Sequence, residues 1–187
     1  MDFEAIGQWF FKYRDFTPIP LIILLLIFSS PSILTATLGT LVIISGELIR
    51  VYSVAFIGSI SRTRKDRTGG NLVDSGPFGL VRNPLYVGNF FITMGFSVFG
   101  GNLYIAILGF VLFSVQYFFI VKYEENLLRQ EFGDKYETYC KTVPPWYPRR
   151  KVRLEKLEWP TNFSPAIKSE RRTLTTIGAL LLLLSFI

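Results

Sequence analysis

The sequence predicts an all-α fold: a polytopic membrane bundle of about five transmembrane helices, forming a single domain over residues 1–187. Three observations predict it. Half of the residues are hydrophobic and only 18% are charged, too few to clothe an ordinary soluble domain. The apolar residues gather in runs of membrane-crossing order, and the basic residues gather between alternate runs.

Taken in order, the chain opens with acidic Asp2 and Glu4, without a basic stretch or a small-residue cleavage site, so the first apolar run is expected to be retained. Spans are expected near 16–30, 33–58, 84–100 and 102–122, and from about 173 to Ile187. SSPS at 29–32 and GGN at 100–102 read as tight turns, which makes the first four spans two helical hairpins. Lys12 and Arg14 precede the first hairpin, Arg62, Arg64, Lys65 and Arg67 separate the two, and a further basic stretch runs from Arg149 to Arg172. All of these fall on one side, which the positive-inside rule makes cytoplasmic, together with the N-terminus.

The net charge of +6 therefore reads as topology and as attraction to anionic lipid headgroups. Nucleic acid is not an expected partner, because no groove-reading element is present. With no histidine and the single cysteine Cys140, the chain can build neither an internal disulfide nor a Cys/His zinc site, and no metal is implied.

Three groups of residues stand out against this background. Glu47 and Arg50 lie three apart on one face of the second span, where either charge alone is costly; they read as a bundle-stabilising pair or as part of a site. Gly46 beside them allows close helix approach. In SGPFGLVRNPLYVGNFF, residues 75–91, two glycines and Pro77 predict irregular backbone from Gly76 to Asn83, with Asn83 at an N-cap and Pro84 opening the helix. Such backbone survives at membrane depth only under protein or beside a water-filled cavity, and a helix start next to Arg82 favours a negative group. The same pattern also fits a proline-capped span with a snorkelling arginine.

The fourth span continues outward as an amphipathic helix that carries Glu124 and Glu125 at the water boundary and ends at Gly133. Adjacent carboxylates can hold a cationic ligand, or simply form a solvated face with Arg129 paired to Glu125. Tyr136, Tyr139 and Trp146 suit the interface. Phe90, Phe91, Phe96 and Phe99 on one span and Phe110, Phe113, Tyr117 and Phe118 on the next could line an acyl or prenyl tunnel, or face lipid.

GNLVDSGPFGLVRNPLYVG at 70–88, followed by EENLLRQEFGDKYETYCKTVPPWYP at 124–148, resembles the isoprenylcysteine carboxyl methyltransferase and phospholipid methyltransferase superfamily over about residues 38–150. The shared pattern falls on Gly76, Pro77, Phe78, Arg82, Pro84, Tyr86 and Gly88, then on the Glu124-Glu125 pair, Phe132, Gly133, Tyr136, Tyr139, Val143 and Pro144, with Gly46 and Arg50 in the second span. One departure is Asn83, where the family's triplet has histidine; asparagine keeps the hydrogen bonding but not the titration.

The resemblance implies an enzyme that moves a methyl group from S-adenosylmethionine to a membrane lipid or lipidated acceptor, in a cytoplasm-facing pocket. It implies cofactor contacts from Gly76, Arg82, Asn83 and Tyr86, with Glu124 or Glu125 on the amino group and ribose, Arg82 on the carboxylate, and adenine against Leu72 and Val73. An acceptor carboxylate would be placed by Arg50; an acceptor amine would lose its proton to Glu47 or to one of the Glu124-Glu125 pair. Two other readings are an NADPH-dependent membrane enzyme resembling the sterol reductases, and a non-enzymatic adaptor whose basic loops bind anionic lipid.

Overall fold

The computed structural model describes residues 2–58, 72–148 and 158–187. The expected basic residues Arg62 to Arg67, and those from Arg149 to Lys156, lie outside them. The described residues fold into seven α-helices and no strand: α1 (Phe3–Tyr13), α2 (Ile19–Phe28), α3 (Ile33–Ile57), α4 (Pro84–Phe99), α5 (Leu103–Phe132), α6 (Asp134–Thr142) and α7 (Ser164–Leu184), with a 3-10 turn at Gly76–Gly79 before α4.

The two turns anticipated between spans meet at one end of the molecule; the second closes a hairpin of α4 on α5, whereas α2, expected to pair with α3, packs instead against α5 and α7. Ser32 and Thr35 form a reciprocal capping box at the start of α3, and the Asn102 side chain accepts from the Tyr104 amide at 3.0 Å to start α5. The turns also bond to each other: the Ser30 amide donates to the Gly100 carbonyl at 2.8 Å, and the Asn102 side-chain amide to the Phe28 carbonyl at 3.2 Å. Gly101, at φ +69°, sits where a Cβ would lie 2.6 Å from the Ser30 oxygen.

Helices α3 and α4 pack tightly for a reason written at seven-residue spacing. A Cβ on Gly39 would lie 2.6 Å from the Gly95 oxygen, and one on Gly46 would lie 2.7 Å from the Gly88 oxygen. Two glycines on each helix therefore bring the backbones together, as small residues do where helices associate in lipid.

Only α3 (25 residues) and α5 (30 residues) are both long and apolar enough, among the described residues, to cross a membrane by themselves. The expected span at 16–30 is helical only from Ile19, because Pro18 and Pro20 start the helix there. Its 10 residues rise about 15 Å, half of a hydrocarbon core. At 16 residues α4 reaches about 24 Å. The last helix begins at Ser164 rather than near 173, so its first turns carry Lys168, Glu170, Arg171 and Arg172.

An unanticipated element is α1, which lies along the C-terminal half of α5. Gly7 meets the Phe119 carbonyl and Tyr123, Phe11 packs on Tyr123, and Asn126 donates to Glu4 at 3.1 Å, while Phe3 and Trp9 stay exposed. The aromatic tunnel is not formed by the faces considered for it. Phe90 packs edge-on against Phe110 and Phe113, Phe110 and Phe118 are half exposed, and only Phe96 and Tyr117 of that set line the main cavity.

Candidate functional site

At the end opposite the turns, the Gly76 to Asn83 segment is clasped to the chain that follows α6. The Arg82 amide donates to the Pro144 carbonyl at 2.8 Å and the Asn83 amide to the Pro145 carbonyl at 3.3 Å. The Arg82 guanidinium donates twice to one Glu125 oxygen, at 3.0 and 2.7 Å, and also to the Val143 and Cys140 carbonyls at 2.8 and 3.3 Å. Tyr139 completes the clasp by donating to the Phe78 carbonyl at 2.7 Å. Burial holds the Tyr136 and Tyr139 phenols above their usual pKa, so both remain protonated.

Pro84 does open α4, but Asn83 makes no side-chain cap: its amide donates to the Pro145 carbonyl at 3.2 Å instead. Gly76, at φ +55°, lies against Phe56 of α3, whose ring would be 2.4 Å from a Cβ there. Leu72 and Val73 line a small cleft of about 80 Å³ with Arg82, Tyr136 and Tyr139, room for two or three waters at roughly 30 Å³ each.

The adjacent carboxylates diverge, as neighbours 100° apart on a helix must. Glu125 is buried against Arg82, with Arg129 at 3.5 Å on its other oxygen. Glu124 turns to the cavity and accepts from the Tyr86 hydroxyl at 2.6 Å. Tyr86 in turn lies against Tyr117, with ring centroids 4.8 Å apart.

Deeper in the bundle, Arg50 joins four helices. It lies 3.6 Å from Glu47 on α3 and 2.7 Å from Glu170 on α7, and it donates to Asn89 on α4, whose amide donates to Tyr117 on α5 at 2.8 Å. The Glu47 and Arg50 face is thus assembled as the three-residue spacing implied. Asn89 and Glu170 were missed, and Tyr117, expected only as tunnel lining, takes a polar role here as well. Asn89 could have been flagged as a polar residue inside an apolar run, whereas Glu170 stands 120 positions from Arg50 with nothing local to mark it.

Between α2, α4, α5 and α7 lies a cavity of about 1030 Å³, at the upper end for a small-molecule site. Its polar wall carries Arg82, Asn83, Tyr86, Asn89, Tyr117 and Glu124, with Arg50 at the junction with an apolar limb. Arg14 and Arg172, from the flanks of the chain, also reach it. Glu47, Glu125 and Glu170 do not line it. Such a donor set suits S-adenosylmethionine: a carboxylate acceptor for an amino group or ribose, the edge of the Arg82 guanidinium for a carboxylate, and phenol rings for a sulfonium.

Comparison with known proteins places these features in a lineage. The phospholipid methyltransferase family model matches residues 34–135, which run from α3 through the start of α6. The chain is 27% identical over 131 residues, 70% of its length, to the cobalt-zinc-cadmium resistance protein CzcN of Cupriavidus metallidurans. It is 26% identical over 113 residues, 60% of its length, to the nickel-cobalt-cadmium resistance protein NccN of Alcaligenes xylosoxydans xylosoxydans. It spans about half the length of these relatives, 57% and 49%. No solved structure matches. The match over more than half of the chain, which takes in Arg82 of the clasp, the glycine-packed helix pair and the Glu124-Glu125 pair, makes this protein a member of the phospholipid methyltransferase family.

Proposed function

We propose that the protein is an S-adenosylmethionine-dependent integral membrane methyltransferase whose acceptor is a lipid or a lipidated molecule. The observation that carries this reading is a single cavity whose polar wall, on α4 and α5, continues into an apolar limb between α2 and α7. In this reading α2 to α5 and the apolar part of α7 sit in the bilayer, α1 lies in the interface, and the clasped end faces the cytoplasm.

When bound, S-adenosylmethionine supplies a methyl group on a positively charged sulfur. Glu124 is assigned to its amino group or ribose, Asn83 and Arg82 to the cavity edge beside it, and Tyr86 with Tyr117 to the cationic centre. Adenine is assigned to the side of Leu72 and Val73, where their cleft meets the cavity at Ile57 and Phe78. Gly76 serves by letting the Pro-Gly segment lie against Phe56 and so fixing where Arg82 stands.

The protein's part is to align donor and acceptor and to exclude water. An acceptor carboxylate needs no base. An acceptor amine must lose a proton, and among Glu47, Glu124 and Glu125 it is Glu124 that stands on the cavity wall. Arg50, held by Glu47, Glu170 and Asn89, is assigned to positioning at the junction between polar wall and apolar limb.

Calorimetric titration of the detergent-purified chain with S-adenosylhomocysteine, with NADPH alongside, tests the reading. Saturable binding of the former alone is the expected outcome. Binding of NADPH alone would favour a reductase, and no binding of either to folded protein would return the adaptor reading.

A further inference from the structure

Among the described residues four arginines reach the cavity, and they are not equivalent. Arg82 is engaged by Glu125, and Arg50 by Glu170 with Glu47 nearby. Arg14 and Arg172 have no ion-pair partner among the described residues; the Arg14 guanidinium rests 4.4 Å over the Phe11 ring. The carboxylates on the cavity wall itself are Asp15 and Glu124.

The two available arginines also head matching gradients. Along α7 the cavity-lining residues run Arg172, Thr173, Thr176, then Ile177, Leu180 and Leu184: a cation, then hydroxyls, then aliphatic side chains on one face. From the N-terminal flank the same cavity is lined by Arg14 and Asp15, then Phe16 and Pro18, then Leu21 and Leu25 of α2. Both walls thus pass from a charged end that holds an arginine into the apolar limb, and on α7 that end is purely cationic, the profile of an amphiphile with an anionic head.

We propose that Arg14 and Arg172 bind the oxyanion at the head of the acceptor lipid, a phosphate diester or a carboxylate, while its chain lies in the limb between α2 and α7. The inference rests on reading the cavity as the site of methyl transfer to a lipid. It assigns acceptor recognition to segments that flank the family-matched residues 34–135, and leaves the methyl donor to the matched core. Neither Arg14 nor Arg172 is in an ion pair among the described residues, although Arg14 lies within electrostatic reach of Glu124, so both keep donors for an incoming oxyanion, whereas Arg50 and Arg82 have theirs directed largely to protein groups.

The test is calorimetric titration of the full chain in a maltoside detergent with dodecyl phosphate, laurate, inorganic phosphate and S-adenosylhomocysteine. Wild-type protein is expected to bind dodecyl phosphate or laurate, whichever carries the acceptor's headgroup chemistry, and inorganic phosphate far more weakly. Arg14→Gln and Arg172→Gln should each weaken the amphiphile about tenfold, the loss of a charge-assisted hydrogen bond, with the lysine variants recovering part of it. Arg171→Gln, one position away and off the cavity, should change nothing. S-adenosylhomocysteine affinity should stay at the wild-type value in the Arg172 variants and fall less than the amphiphile's in the Arg14 variants, whose guanidinium also acts on Glu124, with melting temperatures unaltered.

Four results would overturn the proposal: no binding of either amphiphile, equal binding of inorganic phosphate, an equal loss in Arg171→Gln, or a fall in S-adenosylhomocysteine affinity in its place. Absence of S-adenosylhomocysteine binding alone, with the amphiphile results as expected, would refute methyl transfer and leave the amphiphile site standing.

Discussion

Glu124 and Glu125 are neighbours in the chain and belong to two different regions of the molecule. Glu125 is part of a clasp in which protein groups answer protein groups: Arg82, bonded to Glu125 and two carbonyls, and the Tyr139 hydroxyl tie the Pro-Gly segment to α5, α6 and the chain after it, with Arg129 on the other oxygen of Glu125. Glu124 stands on the wall of a large cavity, bonded to Tyr86, which lines the cavity as well. The doubled carboxylate is therefore two devices: one fixes the backbone that shapes the pocket, and the other presents a charge inside it.

The comparison can be broken most forcefully at the clasp. Arg82→Ala leaves Glu125 buried without its main partner, and removing one member of a buried ion pair costs about 3–5 kcal/mol. Its melting temperature in detergent should fall by many degrees, and Arg82→Lys should rescue only part, because an ammonium cannot reproduce the fork. A melt at the wild-type temperature would show the clasp to be dispensable. Tyr139→Phe removes one hydrogen bond to the Phe78 carbonyl and should cost about 1 kcal/mol, read as a smaller drop in the same melt. On the cavity side, Tyr86→Phe removes the hydroxyl that donates to Glu124 and should lower the melt no more than Tyr139→Phe does, while releasing Glu124 and so weakening S-adenosylhomocysteine binding a few-fold. A large loss of stability there would move Tyr86 into the structural region.

Much of this arrangement is legible in the sequence where the signal is local. The two turns, the proline start of α4, the continuation of α5 beyond its apolar run and the break at Gly133 follow from turn chemistry and hydrophobic run length. What depends on distant partners is not legible. The spacing of Glu47 and Arg50 gives their shared face, but Glu170 comes from a helix whose charged first turns hide it from a search for apolar runs. The short α1 fails any length criterion for a span, although it positions the segment that brings Arg14 to the cavity. Aromatic content on α4 and α5 likewise does not say which face will meet a cavity, and the apolar limb is built mainly by aliphatic residues of α2 and α7.

The most direct test of the division between the two carboxylates is one titration of S-adenosylhomocysteine into Glu124→Gln, set against the wild-type protein at matched folding. The account predicts an affinity at least about tenfold weaker with an unaltered melting temperature, since a charge-assisted contact is lost and no packing is. Wild-type affinity in that variant would contradict it, and would return the cofactor's amino group to some other residue of the cavity wall.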